Sequence, residues 1–169
     1  MRKPISYALA GMTILMAASG KPAHAATIAN CKGPALEIEV EGLKDRIGML
    51  VAELYPANET DFLDDAEDLV KSGKTFRRVT IPISPTDPPR LCVIAPAAGT
   101  YALIIIHNRD GKDKFSISKD GAALPAARSI GRSRPKVQQA TIFVGNTPRS
   151  VAVRMQYLNG LGGFMMSNR

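Results

Sequence analysis

The sequence predicts an all-β protein, an antiparallel β-sandwich with one short inserted helix. About seven short segments have the alternating or continuous apolar pattern of strands, and turns rich in Gly, Pro and Asn separate them. One segment, residues 61–71, has helical periodicity instead. Many short strands with a single helix are typical of a sandwich, and one disulfide suits a small domain of this class.

The N-terminal residues 1–25 are predicted to be a cleavable secretory signal peptide. Two basic residues precede an apolar run over residues 5–18, and Ala23-His24-Ala25 supplies the small side chains that signal peptidase requires. A membrane anchor would need about 20 apolar residues, which this run does not reach. We therefore expect an exported protein, periplasmic or extracellular, with no membrane span.

The remaining chain is predicted to hold one domain, residues 26–157, followed by a flexible tail over residues 158–169. The leader contains three of the 22 basic residues, so 19 basic residues remain against 15 acidic ones, a net charge of +4. This charge supports solubility and weak attraction to anionic surfaces. With few aromatic side chains available for base stacking, it does not indicate nucleic-acid binding.

Cys31 and Cys92 are the two cysteines of the chain. In an oxidising compartment they are predicted to form a disulfide, which would close a loop of about 60 residues and stabilise the fold by roughly 4 kcal/mol. A redox pair would need closer spacing, such as Cys-x-x-Cys. Lipidation of Cys31 is disfavoured because Asn30 precedes it, where a small residue is required.

The first elements are predicted to be two strands and a helix. Residues 36–41 alternate apolar and charged side chains, and residues 47–55 form an apolar run, so the two are predicted to pair as an opening hairpin. In residues 61–71 the apolar side chains fall on one helical stripe. Thr60 is predicted to cap the start of this helix and Gly73 to end it.

The later elements are predicted to be strands around a long basic loop. Residues 102–107 read as a strand buried on both faces, at the centre of the core. Residues 118–136 have no clear period and contain no acid after Asp120, which indicates a loop, and residues from 160 on are predicted to fray. The other predicted strands cover residues 75–83, 90–94, 114–117, 138–144 and 149–157.

Three segments of this pattern, residues 36–43, 48–55 and 96–107, resemble the bacterial family called domain of unknown function 2141. The resemblance extends from about residue 36 to residue 157. The turn Gly99-Thr100-Tyr101 also recurs in prealbumin-like sandwiches, so the resemblance implies a prealbumin-like or immunoglobulin-like β-sandwich in an exported bacterial protein. It implies no established activity.

The loop that follows His107 departs from that family's pattern. Members usually carry Asp-x-Asn-x-Asn-Gly ending in Asp, which suits a calcium ion, whereas this chain has basic residues in the loop and Ser116 in place of the last acid. We expect a calcium-independent turn in which Asp110 and Gly111 serve the hairpin. A metal- or small-ligand-binding loop stays open as the alternative, with four candidate ligands: His107, Asn108, Asp110 and Asp113.

Catalytic equipment is not evident in the sequence. His107 is the one histidine beyond the leader, and a strand-end histidine held by hydrogen bonds is the simpler interpretation. No nucleophile elbow, zinc-binding helix motif or P-loop is present. The sequence therefore predicts a protein that is not an enzyme and carries no cofactor.

The basic loop is the feature with most functional content. Guanidinium groups bind phosphate and carboxylate in a bidentate manner, so the loop could contact lipid phosphates, polysaccharide or an acidic protein, although a solvated loop would have the same composition. The sequence thus favours a non-catalytic module that binds a protein or glycan partner in the cell envelope. The candidate contact residues are Arg128, Arg132, Arg134 and Lys136.

Overall fold

A computed structural model of the chain describes residues 31–112, 114–126 and 129–166. The predicted signal peptide and two predicted site residues, Asp113 and Arg128, lie outside the described residues. The described elements are β1 Ala35–Glu41, β2 Met49–Pro56, α1 Ala66–Lys71, β3 Arg77–Pro82, β4 Arg90–Ile94, β5 Gly99–Asn108, β6 Gly121–Ala123, α2 Val137–Ala140, β7 Thr141–Val144, β8 Arg149–Arg154, β9 Gln156–Leu158 and β10 Phe164–Met166.

The strands form two sheets, which confirms the predicted all-β sandwich with a small helical part. The smaller sheet has the order β4-β1-β8, and the larger one has the order β10-β9-β6-β5-β2-β3, with β7 also paired to β5. Strand β1 runs antiparallel to β4 and parallel to β8, and the pairs of the larger sheet are antiparallel.

Strand β5 is the centre of the larger sheet, as its apolar run predicts. Strand β2 covers one of its edges along most of its length, while β7 and β6 share the other edge, one after the other. Leu103 and Ile105 face the smaller sheet, where they join the core between the sheets, and Ile104 faces the opposite side. We call these two sides of the larger sheet the inner face and the outer face.

The outer face carries a second apolar cluster, which the two helices and the segment after β6 cover. Its members include Phe62, Leu69, Leu124, Ile130 and Val137. A sheet with both faces covered explains why β5 and β2 show continuous apolar runs instead of alternation. The covering is incomplete, and the gap that it leaves is the cleft described below.

The predicted opening hairpin is wrong, because β1 and β2 belong to different sheets. Strand β1 pairs with β4 and β8, whose sequence positions are far from it. The connection after β1 crosses between the sheets, and it begins at Gly42, whose φ of 68° is a conformation that glycine adopts readily. Alternation predicted the strand correctly but held no information about its partner.

The helix α1 is shorter than predicted. It starts after Asp65, whose side chain accepts hydrogen bonds from the backbone N–H groups of Glu67 and Asp68, so Asp65 and not Thr60 is the cap. Leu63, with a φ of 63°, interrupts the helical conformation before that point. Gly73, with a φ of 67°, follows the last turn as predicted.

Further predictions about the second half are wrong. The predicted strand over residues 138–144 begins as helix α2, and only residues 141–144 are a strand. Residues 114–117 form no strand, while β6 lies inside the predicted loop. The predicted strand over residues 149–157 divides at Met155 into β8 and β9, which belong to different sheets. The predicted fraying tail contains the strand β10, which pairs with β9, and Phe164 is buried.

The predicted disulfide between Cys31 and Cys92 is present, with a Cα–Cα distance of 5.6 Å. Cys92 lies in β4, and Cys31 lies just before β1, so the bond fastens the start of the described chain to an edge of the smaller sheet. Its sequence separation of 61 residues corresponds to about 4 kcal/mol in the chain-entropy model.

Candidate functional site

His107 lies on the inner face at the end of β5, where its side chain is fully buried. Its Nε2 lies 2.7 Å from the carbonyl oxygen of Ile47, and its Nδ1 lies 2.6 Å from the hydroxyl of Tyr157. Because a carbonyl only accepts hydrogen bonds, Nε2 carries the proton and Nδ1 accepts from the tyrosine. The hydroxyl in turn accepts from the backbone N–H of Lys44 at 3.0 Å.

Burial lowers the pKa of His107 below 6.5, although the Ile47 carbonyl and the nearby Asp45 carboxylate oppose the shift. Burial also raises the pKa of Tyr157 to about 12. The pair is therefore neutral at physiological pH. With both ring nitrogens bonded and no exposed surface, this histidine closes one end of the core, and it is not placed to act on a dissolved substrate.

Asp45 and Arg109 form an ion pair beside this histidine. The guanidinium donates from Nε at 2.9 Å and also contacts the carboxylate through Nη2. Burial raises the pKa of Asp45, but the hydrogen bond from Arg109 and that from the backbone N–H of Ile47 outweigh it, so the net pKa is lowered. The pair fastens the connection after β1 to the loop after β5.

The loop after His107 uses Asn108 Oδ1 and Asp110 Oδ1 for its own turn, whereas Asp110 Oδ2 is buried and has no hydrogen-bond partner among the described residues. Asn108 Oδ1 accepts from the N–H of Gly111 at 2.8 Å, and Asp110 Oδ1 accepts from that of Lys112 at 3.2 Å. The ammonium groups of Lys112 and Lys119 lie 3.8 and 3.6 Å from Asp110 Oδ2. Among the described residues, no group of three or more His, Cys, Asp and Glu side chains is arranged to hold a metal ion.

The predicted ligand set of that loop is divided by the sheet. Successive side chains of a strand point to opposite faces, so His107 on the inner face and Asn108 on the outer face cannot converge on one small ligand. The structure therefore does not bring together the candidate ligands His107 and Asn108.

The outer face of the larger sheet contains a cleft of about 670 Å³. This volume lies within the range of about 300–1,000 Å³ that is usual for small-molecule sites. Strands β2, β5, β6 and β10 supply an apolar floor, and the segments 115–117 and 130–135 form walls. The apolar floor and walls include Tyr55, Leu63, Ile104, Ile106, Phe115, Ile117, Ala122, Ile130, Leu158 and Phe164.

A buried carboxylate, Glu53, lies in the wall of this cleft. Arg78 is directly opposite Glu53 in the β2–β3 register, and its Nε and Nη2 both lie 2.7 Å from Glu53 Oε1. Tyr55, two residues along on the same face, donates its hydroxyl to Oε2 at 2.6 Å. Burial and the adjacent Glu53 charge raise the pKa of Tyr55, which therefore stays protonated.

The described part of the predicted basic loop, residues 118–126 and 129–136, borders the same cleft and is hydrogen-bonded to the sheet. The backbones of Gly131 and Phe164 exchange two hydrogen bonds, and the N–H of Ile130 donates to the buried Gln156 side chain at 2.7 Å. Arg134 donates to the carbonyl oxygens of Phe62 and Leu63 at 2.9 and 3.0 Å. Since β6 and these bonds shape residues 118–136 as far as the structure describes them, they are not the structureless loop that composition predicted.

Of the predicted contact residues, Arg132 and Arg134 line the cleft, while Lys136 begins helix α2. A smaller depression of about 260 Å³ adjoins the cleft. The two share Glu53, Arg78, Ile106 and Phe115. Asn108 and Lys112 from the loop after β5 line the smaller one. Parts of both predicted candidate regions therefore border two adjoining depressions on the outer face.

Sequence reasoning missed the cleft itself. The sequence assigns the floor residues on β2 and β5 to core strands and those on β6 and β10 to a loop and a tail, and the residues that frame the cleft come from segments far apart in the chain. One local signal was present: Phe115 and Ile117 are large apolar side chains inside an otherwise polar stretch, and both line the cleft. Large apolar side chains that lie together on a surface are typical of interaction sites.

The fold and the cleft define a small β-sandwich protein with a ligand-sized cleft on the outer face of its larger sheet. The chain belongs to a family of uncharacterized proteins conserved in bacteria, domain of unknown function 2141, whose family model matches residues 38–152. This confirms the family resemblance of the sequence. No curated protein and no solved structure matches the chain. In the described part of the chain, no helix is long and apolar enough to cross a membrane.

Proposed function

We propose that this protein is a non-catalytic binding module exported to the bacterial cell envelope, and that its cleft holds an amphiphile, a molecule with an apolar body and one anionic group. The observation that carries the proposal is an apolar floor with three arginines at its border: Arg78, Arg132 and Arg134. An apolar pocket with a few polar groups at its edge is typical of small-ligand sites.

The charges at the cleft favour an anion. The one acid in its wall, Glu53, is already paired with Arg78, whereas Arg132 and Arg134 add two further positive charges. Half of the Arg78 side chain is exposed, so it can meet a ligand without leaving Glu53. Guanidinium groups bind carboxylate or phosphate with two parallel hydrogen bonds.

Other partners fit this cleft less well. A glycan offers little apolar surface for the floor, and a protein partner would need to insert an apolar side chain beside an acid. The alternative of a metal- or small-ligand-binding loop after His107 has less support, because Asn108 and Asp110 accept hydrogen bonds from their own turn. An amphiphile matches both halves of the cleft at once.

Export has two supports. The leader has the pattern of a signal peptide, and the Cys31–Cys92 disulfide suits an oxidising compartment. The intact mass of protein expressed with its own leader in a Gram-negative host should correspond to a chain that begins at Ala26 and holds one disulfide. A full-length, reduced chain in the cytosol would contradict export.

The binding proposal is tested with the fluorescent probe dansyl-undecanoic acid. Its emission should rise and shift to shorter wavelength on addition of the protein, whereas dansylamide, which has no acyl acid, should show little change. Arg132→Glu should weaken probe binding about tenfold, because it replaces attraction of the carboxylate with repulsion worth on the order of 1–2 kcal/mol. Phe115→Ser should weaken it by removing part of the apolar wall.

Matched controls are available on surfaces away from the cleft. Arg149 and Phe143 lie at strands β8 and β7 and are exposed, Phe143 by 58% compared with 41% for Phe115. Arg149→Glu and Phe143→Ser should bind the probe as the unmodified protein does. If the control variants lose as much affinity as the cleft variants, or if no variant changes it, the cleft is not the binding site.

A further inference from the structure

Large apolar side chains are exposed around the mouth of the cleft. Phe115, Ile117 and Leu158 line it and are each more than 40% exposed. Leu161 is 85% exposed, in the three-residue 3-10 turn between β9 and β10. Gly160 and Gly163, on either side of Leu161, line the cleft. We call Phe115, Ile117, Leu158 and Leu161 the apolar rim.

The segment that carries much of this rim is strongly basic. Its described residues between 112 and 136 include six basic residues and one acid, a net charge of +5. The acid, Asp120, is buried, and its two oxygens accept hydrogen bonds from the backbone N–H groups of Arg109 and Ser116. Lys114 adjoins Phe115 in sequence, Lys119 follows Ile117 by two residues, and Arg132 lies in the cleft wall.

We propose that the apolar rim docks onto the surface of an anionic lipid bilayer. Exposed apolar side chains enter the interfacial region, while neighbouring lysines and arginines meet the phosphates, and each basic group near an anionic surface adds to the attraction. The charge of the segment selects an anionic bilayer over a neutral one. Exposed apolar patches mark interaction sites, and a membrane surface is one of the partners that such patches take.

This inference does not require the cleft to hold a ligand. Leu161 is not among the residues that line the cleft, so a change there tests docking alone. Dansyl-undecanoic acid should bind the Leu161→Asp protein as it binds the unmodified protein. The cleft proposal and the docking proposal can therefore fail separately.

The experiment is sedimentation with vesicles of phosphatidylglycerol or of phosphatidylcholine alone. The unmodified protein should bind the phosphatidylglycerol vesicles and be released by high salt, since screening weakens the attraction. Leu161→Asp should reduce the partition coefficient about tenfold or more, because the protein loses a leucine side chain that would be buried in the bilayer. Ile94→Asp is the matched control, on β4 in the smaller sheet and 49% exposed, and it should bind as the unmodified protein does.

Both variants have the same N-terminus as the unmodified protein, so a retained leader cannot produce a difference between them. Equal binding of the two variants would overturn the proposal, whether both bind fully or both bind weakly. Equal binding of the unmodified protein to the two kinds of vesicle would overturn it as well. Failure of the phosphatidylglycerol vesicles to retain the unmodified protein would also overturn the proposal, and it is the result expected if an acidic protein occupies the rim instead.

Discussion

The two faces of the larger sheet each bury a tyrosine that is hydrogen-bonded to a titratable side chain, and they use it differently. On the inner face, Tyr157 and His107 form a neutral pair whose polar atoms bond to one another and to backbone groups. On the outer face, Tyr55 binds the carboxylate of Glu53, whose other partner, Arg78, is half exposed beside the cleft.

The polar groups of the inner network serve only the fold, whereas the outer network leaves one charged group available to a ligand. A buried neutral network with every group paired contributes to one specific packing and offers nothing to a ligand. A buried charge with a partner that reaches solvent costs more to desolvate, but it leaves a charged group at the wall of a cleft. We therefore expect inner-face changes to affect stability most and outer-face changes to affect binding most.

The largest expected effect is that of His107→Ala. It removes a fully buried ring and leaves the Tyr157 hydroxyl and the Ile47 carbonyl without their partner, so it should cost about 3 kcal/mol or more in the free energy of unfolding. Glu53→Ala should cost roughly half as much, because water in the cleft can reach the groups that Glu53 leaves behind. Urea denaturation of the two variants measures both values, and equal costs would contradict the distinction between the faces.

The two tyrosine hydroxyls allow a closer comparison, because replacement by phenylalanine keeps the ring. Tyr157→Phe should cost about 2 kcal/mol, since His107 Nδ1 then has no donor inside a closed core. Tyr55→Phe should cost about 1 kcal/mol or less, because Glu53 keeps its bond to Arg78 and borders the cleft. The same denaturation measurement applies. A larger cost for Tyr55→Phe would show that the outer network is as closed as the inner one.

The inner pair also predicts how stability depends on pH. The pKa of His107 is lowered from 6.5 in the folded protein, so below about pH 6.5 the unfolded chain takes up a proton that the folded protein does not bind. Stability should therefore fall as the pH drops from about 8 to about 5, with a contribution from this group of at most about 1.4 kcal/mol per pH unit. His107→Gln should reduce that slope.

The Asp45–Arg109 pair serves as the internal reference for this measurement. The pKa of Asp45 is lowered from 3.8, so its contribution to stability is lost only as the pH falls below about that value. Thermal unfolding followed over both ranges separates the two groups. An unchanged slope between about pH 8 and about pH 5 in His107→Gln would mean that another group controls the dependence.

Local pattern predicted individual strands well and their partners poorly. Strand β4 has the bounds that its apolar pattern predicts, and the apolar run of β5 predicted its central position. The partners of β1 could not be read from alternation, because pairing with β4 and β8 depends on packing across the whole domain. The segments that frame the cleft are also far apart in the sequence, so no single stretch predicted the cleft.

Strand β6 shows a different reason for a missed element. Its three residues, Gly121, Ala122 and Ala123, are small and have no strand pattern. Gly121 pairs with Tyr157 of the neighbouring strand β9. A Cβ atom at Gly121 would lie 2.4 Å from the ring of this tyrosine. Glycine is therefore required by a ring from another strand, and β propensity, which disfavours glycine, pointed away from the observed structure.

The smallest expected effect on stability is that of the exposed positions that test binding. Arg132→Glu and Leu161→Asp should change the free energy of unfolding by no more than about 0.5 kcal/mol, because neither side chain is buried in the fold. The measurement matters for the comparison between the faces, since a loss of probe or vesicle binding is informative only in a protein that remains folded. If either change were strongly destabilising, the cleft border and the apolar rim would belong to the fold as His107 does, and their exposed side chains would need a structural explanation instead of a binding one.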